Sequence, residues 1–266
     1  MEISIVFGYF CALLIGLVLG LIGGGGSILT VPVMVYLLDI DPVHATAYSL
    51  FLVGTTSAVG ALQNIRLGTV DLKTGFLFSL PAFVAVYLTR AFLVPSIPQE
   101  LARVGVWVLT KEMAIMLFFA VIMLLAASSM IRTKRKNMAS QDTQSINIPM
   151  VVLEGAVVGV VTGLVGAGGG FLIIPALVLL AGLEMKVAIA TSLMIIALKS
   201  LIGFLGDVQN LSIDWHFLIP FTAIAIVGIF LGMRFNQIIP SAHLKKGFGW
   251  FVLLMGCGIL WKELVL

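Results

Sequence analysis

Charge is scarce in this chain. Only 10% of its 266 residues are Asp, Glu, Lys or Arg, against about 25% in soluble domains. So few charges cannot clothe a water-exposed globule, which excludes a soluble domain. Cysteine is scarcer still. Cys11 and Cys257 both lie inside apolar stretches, so neither a disulfide framework nor a Cys-based metal site is available. His44, His216 and His243 fall at the ends of apolar stretches without metal-ligand spacing. Enzymatic signatures are missing as well: there is no GxSxG, no HExxH and no carboxylate pair within an apolar span, and no glycine run ends in the Lys-Ser/Thr of a phosphate loop. The chain reads as a non-enzyme without cofactor or metal. Its net charge of +3 comes from basic residues in short loops, where they set membrane topology rather than form a nucleic-acid surface.

What the chain does have is hydrophobicity and glycine. It is 61% hydrophobic, with a mean hydropathy of +1.18. It reads as an all-α polytopic membrane protein. Glu2 opens the chain where a signal peptide would be basic, and no small-x-small cleavage site follows. The first apolar stretch is therefore expected to be a retained helix.

The glycines organise the rest. Gly20-Leu21-Ile22-Gly23-Gly24-Gly25-Gly26-Ser27-Ile28-Leu29-Thr30-Val31-Pro32 recurs as Gly163-Leu164-Val165-Gly166-Ala167-Gly168-Gly169-Gly170-Phe171-Leu172-Ile173-Ile174-Pro175, an offset of 143 from Gly20 to Gly163. The offset holds without a gap to Asp71 and Asp214, through Ala45/Ala188, Ser49/Ser192, Ser57/Ser200 and Gly60/Gly203. The chain is two copies of one unit. Glycine costs about 1 kcal/mol relative to alanine inside a helix, so such a run breaks one. In hydrocarbon, a break is tolerated only where protein buries it or a polar cavity receives it. A helix restarting after the break presents free N–H groups and a positive dipole end to an anion. Two breaks related by a repeat point to a transporter site near the membrane midplane.

A full span needs about 20 apolar residues. The pattern predicts segments at 3–22, 27–38, 43–65 and 74–94, then a turn at Pro95–Pro98 and a helix ending near Ile131. A basic linker over 132–148 separates a first transmembrane repeat, 1–131, from a second, 149–266. Segments at 149–166, 170–182, 187–206, 215–235 and 246–262 complete the plan. If each break joins two crossings, ten Lys and Arg lie on the linker side and four (Arg90, Arg103, Lys111, Lys262) on the other, with Lys199 inside the membrane. If each broken segment crosses once, the tally is seven against seven. The positive-inside rule favours the first arrangement: two inverted repeats of about five helices each, a cytoplasmic linker and both termini outside. Re-entrant hairpins at 27–38 and 170–182 give the same count and stay open.

Candidate ligands follow from position. The amides of Gly24, Gly25, Gly26 and Ser27 in the first break, and of Gly168, Gly169 and Gly170 in the second, would hold an oxyanion. Ser49, Thr56, Thr191 and Ser192 lie on the helices that follow and would donate hydrogen bonds. Lys199 is read as the only Lys or Arg deep in an apolar span, and an intramembrane ionisable residue is a functional hypothesis by default. The competing reading is that it snorkels toward, or pairs with, Asp207. Asp71 and Asp214 read as helix caps.

The pattern G-L-x-G-x-G-G-x-x-x-x-x-P, the run Ala190-Thr191-Ser192-Leu193 with its copy Ala47-Tyr48-Ser49-Leu50, and Gly68-Thr69-Val70-Asp71 resemble the TauE/SafE (sulfite exporter-like, TSUP) family. Gly228-Ile229-Phe230-Leu231-Gly232-Met233-Arg234 fits too. Ala167, the Ala85/Thr89 pair and Asn210-Leu211-Ser212 depart from the pattern. The resemblance implies a secondary transporter in the bacterial inner membrane, with periplasmic termini, for a sulfur-containing oxyanion or organosulfonate such as sulfite or sulfoacetate. The expected partners are this small anion, a coupling proton or sodium ion, and the lipid bilayer; a homo-oligomer is compatible with the apolar surface. The alternatives are a passive anion channel and a scaffold subunit with no transport of its own.

Overall fold

In the computed structural model, residues 2–104, 107–132, 148–166, 169–179, 181–236, 238 and 240–265 are described. Most of the basic linker and Gly168 lie outside these residues. Helix α1 covers Glu2–Ile22. After Gly23, α2 starts as a 3-10 helix over Gly24–Leu29, has α geometry over Thr30–Pro32 and widens to π geometry over Val33–Leu37. Next come α3 (Pro42–Arg66) and α4, which runs Leu72–Leu88, widens over Thr89–Leu93 and closes with Val94–Ser96. A hairpin of β1 (Glu100–Val104) and β2 (Trp107–Thr110) precedes α5 (Lys111–Arg132). The second half holds α6 (Ile148–Val165), α7 (Gly170–Leu179), α8 (Met185–Val208), α9 (Trp215–Asn236) and α10 (Ser241–Val265). Segments Pro42–Arg66, Leu72–Ser96, Lys186–Val208 and Trp215–Asn236 are long and apolar enough to cross a membrane. The protein is a multi-pass helical membrane protein.

Local chemistry sets the ends of these helices. Asp41 caps α3, its carboxylate accepting from the Val43 amide at 2.9 Å, with Pro42 at the first helical position, where its missing N–H costs nothing. Asp71 caps α4 through the Thr74 amide at 3.1 Å, and Asp214 caps α9 through the His216 amide at 3.0 Å. The caps at Asp71 and Asp214 are those expected from sequence. The 100–110 hairpin corrects the expected turn followed directly by helix: β1 and β2 pair antiparallel, with Arg103 opposite Val108 and Val104 opposite Trp107. In α4, Pro95 offers no N–H and its ring crowds the carbonyl four residues back, and the preceding turn is wider than α.

Packing follows the repeat. Helix α1 lies on α9, and their repeat mates α6 and α4 lie on each other. Helix α4 packs on α8 and α9 on α3, while α3 packs on its own mate α8 and α5 on its mate α10. Exchanging each helix for its mate within these six pairs returns the same six pairs. Small residues make the close approaches, as packing between helices in lipid requires. A methyl on Gly20 would strike the Met233 amide at 2.6 Å, and one on Gly163 would strike Thr89 Cβ at 2.8 Å. The contact order also gives direction. Gly16 meets Ala225 and Gly20 meets Ile229, so α1 and α9 run parallel. Gly155 meets Phe78 and Gly163 meets Thr89, so α6 and α4 do too. Gly54 meets Leu201 while Gly203 meets Leu50, so the mates α3 and α8 run antiparallel.

Candidate functional site

The two glycine breaks meet at the centre of the molecule. Gly24 and Gly170 touch backbone to backbone, so that a Cβ on either would collide with the Cα of the other, and Ile196 of α8 closes the contact from the side. Gly23 and Gly166 are repeat mates and both have φ of 71°, a left-handed geometry that favours glycine. Each ends its helix sharply, and α2 then turns back along α1 until Leu38 packs beside Gly8. Gly8 to Leu21 is about 20 Å of helix rise.

Around the breaks, the expected ligands are arranged unequally. Gly24, Gly25, Gly26 and Ser27 form the first turns of α2, and the Ser27 hydroxyl donates back to the Gly24 carbonyl at 2.6 Å. Ser192 sits against Gly23 and donates to the Ile189 carbonyl at 2.8 Å. Ser49 and Thr56, fully buried on α3, have hydroxyls with no partner among the described residues. Lys199 is fully buried, its Nζ donating to Thr162 Oγ1 at 2.9 Å. That ammonium stands 2.8 Å from where a Cβ on Gly169 would be. It neither snorkels nor pairs with Asp207. Gly170 faces the first break; Gly168 lies outside the described residues.

Thr191 also holds a loop. Its hydroxyl accepts the Asp71 amide at 3.0 Å, pinning the loop before α4. Its repeat mate Tyr48 accepts the Asp214 amide at 2.9 Å in the same way. The two bonds lock equivalent loops in the two halves.

Arg90 departs from its expected place. The spacing puts it near the outer end of the 74–94 segment and leaves Lys199 as the only deep basic residue, but Arg90 lies in the widened turn of α4 with a fully buried side chain. Its Nη1 donates to Thr46 Oγ1 at 3.0 Å and to Asp207 Oδ1 at 3.4 Å. Taking Arg90 out of the loop count leaves ten basic residues against three, which strengthens the orientation argument.

Two other hollows lie on the surface. One, of about 300 Å³, is lined by Leu38, Ile40, Asp41, His44, Tyr48, Asp214 and Phe217; its two carboxylates oppose an anion. The other is a broad groove between α4 and α6 whose walls are almost wholly apolar, including Leu80, Val84 and Leu88, as expected of a lipid-facing surface. No group of three or more His, Cys, Asp or Glu able to hold a metal occurs among the described residues.

Comparison with known proteins agrees with this architecture. A family model described as sulfite exporter TauE/SafE matches residues 9–259. A probable membrane transporter protein of Bacillus subtilis (strain 168), YunE, is 28% identical over 262 residues, covering 94% of this chain and 95% of that protein. A probable membrane transporter protein of Xylella fastidiosa (strain 9a5c) is 26% identical over 256 residues, covering 94% and 92% respectively. YdhB of Bacillus subtilis, another probable membrane transporter protein, is 28% identical over 234 residues, covering 88% and 91%. No solved structure gives a significant match.

Proposed function

The chain belongs to the sulfite exporter TauE/SafE family, and from that premise we propose that it is a secondary transporter, not an enzyme, for a small sulfur-containing oxyanion or organosulfonate. The anion binds where the two glycine breaks meet, with Lys199 supplying charge and the free amides at the start of α2 supplying hydrogen bonds. One observation carries this reading: two helix breaks from opposite halves touch at Gly24 and Gly170, with a buried ammonium against the adjacent Gly169.

Alternating access follows from the same contact. With Gly24 against Gly170 no anion fits between the breaks, so binding separates them. Inverted repeats supply the means, since rocking one half against the other opens the site to each side in turn. The antiparallel course of the mates α3 and α8 supports inversion. The basic loops support cytoplasmic placement of the linker, and hence periplasmic termini in an inner membrane. A proton or sodium gradient drives the cycle.

Counterflow in proteoliposomes tests this. Vesicles loaded with unlabelled sulfite are expected to accumulate external labelled sulfite transiently, as a carrier does. Uptake that never exceeds equilibration and does not saturate would replace the carrier with a passive channel.

A further inference from the structure

Arg90 holds more hydrogen-bonding capacity than the protein around it uses. A guanidinium has five N–H groups and keeps its charge in proteins. Only Nη1 is engaged; Nε and Nη2 have no partner among the described residues, although the side chain is fully buried. Unpaired buried donors on a charged group are costly and rare. The link to Asp207 is weak in form, a single contact at 3.4 Å with Oδ2 unpartnered, where a charge-assisted bond is normally about 2.7–2.9 Å. Asp207 and Thr46 hold one nitrogen and leave open the Nε–Nη2 edge, which suits two oxygens of one anion.

That edge is aimed at the second break. Nη2 lies 2.6 Å from where a Cβ on Gly166 would be. Lys199 Nζ stands 2.8 Å from the corresponding position on Gly169. Thr162 joins the two places: its carbonyl accepts the Gly166 amide at 2.8 Å, and its hydroxyl accepts Lys199. Two buried basic side chains therefore attend glycines three positions apart in the second break. The first break has no such pair among the described residues: Gly23 faces Ser192 and Ile189, and Gly26 faces Ile15 and Leu19.

The repeat sharpens the contrast. At the offset of 143, Arg90 corresponds to Met233 and Asp207 to Asn64. These mates also touch, Asn64 Nδ2 lying 3.7 Å from Met233 Sδ. The same helix contact is thus built twice, once neutral and once charged. Packing alone does not require the charges.

We propose that the Nε–Nη2 edge of Arg90 is a second cationic ligand of the anion site, with Asp207 and Thr46 as positioning residues that orient it. The proposal rests on the transport reading above and narrows its substrate class. A group with three oxygens, sulfite or sulfonate, offers two to the guanidinium edge and a third to Lys199, whereas a carboxylate offers only two. Asp207 also competes with the anion for Arg90.

The test is equilibrium binding of sulfite and acetate to the purified full chain. The double variant Arg90→Met/Asp207→Asn copies the neutral pair that the other half already accommodates. It is expected to melt close to wild type when empty and to bind sulfite at least about tenfold more weakly. Asp207→Asn alone keeps an Oδ1 acceptor to orient Nη1 but removes the competing negative charge, and is expected to bind sulfite more tightly, by about threefold or more. Arg90→Lys keeps the charge without the planar edge; it should lose the preference for sulfite over acetate, and it serves if the double variant fails to fold. Sulfite binding within twofold of wild type in the double variant, or weakened binding in Asp207→Asn, overturns the assignment. A folded wild type that binds neither anion removes the transport-site reading together with this one. A wild type that binds sulfite beside a double variant that binds it equally removes this one alone.

Discussion

Replacing Lys199 with methionine separates a ligand from a structural residue. The ammonium is fully buried, and among the described residues its one hydrogen bond goes to Thr162 Oγ1 at 2.9 Å. Methionine fills a similar volume. Thr162 keeps its own donation to the Gly159 carbonyl at 3.3 Å, so no orphaned donor remains. Exchanging a buried ionisable group for an apolar one of similar size is often neutral or stabilising, and the empty variant is expected to melt at or above wild type. Anion binding should move the other way. A hydrogen bond to a charged group contributes about 1.5–3 kcal/mol, which corresponds to roughly 10–150-fold in Kd. Titration calorimetry with sulfite gives the ratio, and a melting curve gives the stability. A variant that melts well below wild type yet binds sulfite within about twofold refutes the reasoning, because Lys199 would then be holding the fold and not the anion.

Other expectations concern structure and orientation. Thr191→Val and Tyr48→Phe each remove the acceptor of one loop amide; both should lower stability by about 1 kcal/mol in a melting assay while leaving anion affinity within twofold. Gly20→Leu drives a large side chain into the Met233 backbone and is expected to abolish recovery of folded protein, whereas Gly247→Ala, with nothing within 4 Å of the added carbon, should be tolerated. A reporter active only outside the cytoplasm, fused after Leu266, is expected to be active; activity from the same reporter inserted within 137–147 instead would invert the proposed topology.

The sequence made the helix plan legible because the 143-residue offset repeats both glycines and caps. Gly23 and Gly166 share one backbone geometry, and Asp71 and Asp214 cap equivalent helices. Lys199 was legible because a lone cation stands out in an apolar run. Arg90 was not, because the turn expected at Pro95–Pro98 sets it near the outer end of the 74–94 segment; Pro95 leaves the helix running but widens the turn that carries Arg90. The 100–110 hairpin was hidden in a short apolar stretch. Thr191 also accepts the amide of Asp71, 120 residues away, and no local pattern encodes so distant a bond.

Thermal stabilisation of the purified protein by a panel of anions reads out directly whether the chain holds a sulfur oxyanion. The panel holds sulfite, thiosulfate, sulfoacetate, taurine, acetate and chloride. A ligand at 100 times its Kd stabilises by about 2.7 kcal/mol, and for a protein of this size each 1 kcal/mol moves the melting temperature by roughly 2–4 °C. A rise of several degrees is expected with one or more of the sulfur oxyanions and little with acetate or chloride. A folded sample whose melting temperature responds to none of the six anions would contradict this expectation and favour a scaffold whose glycines only pack helices.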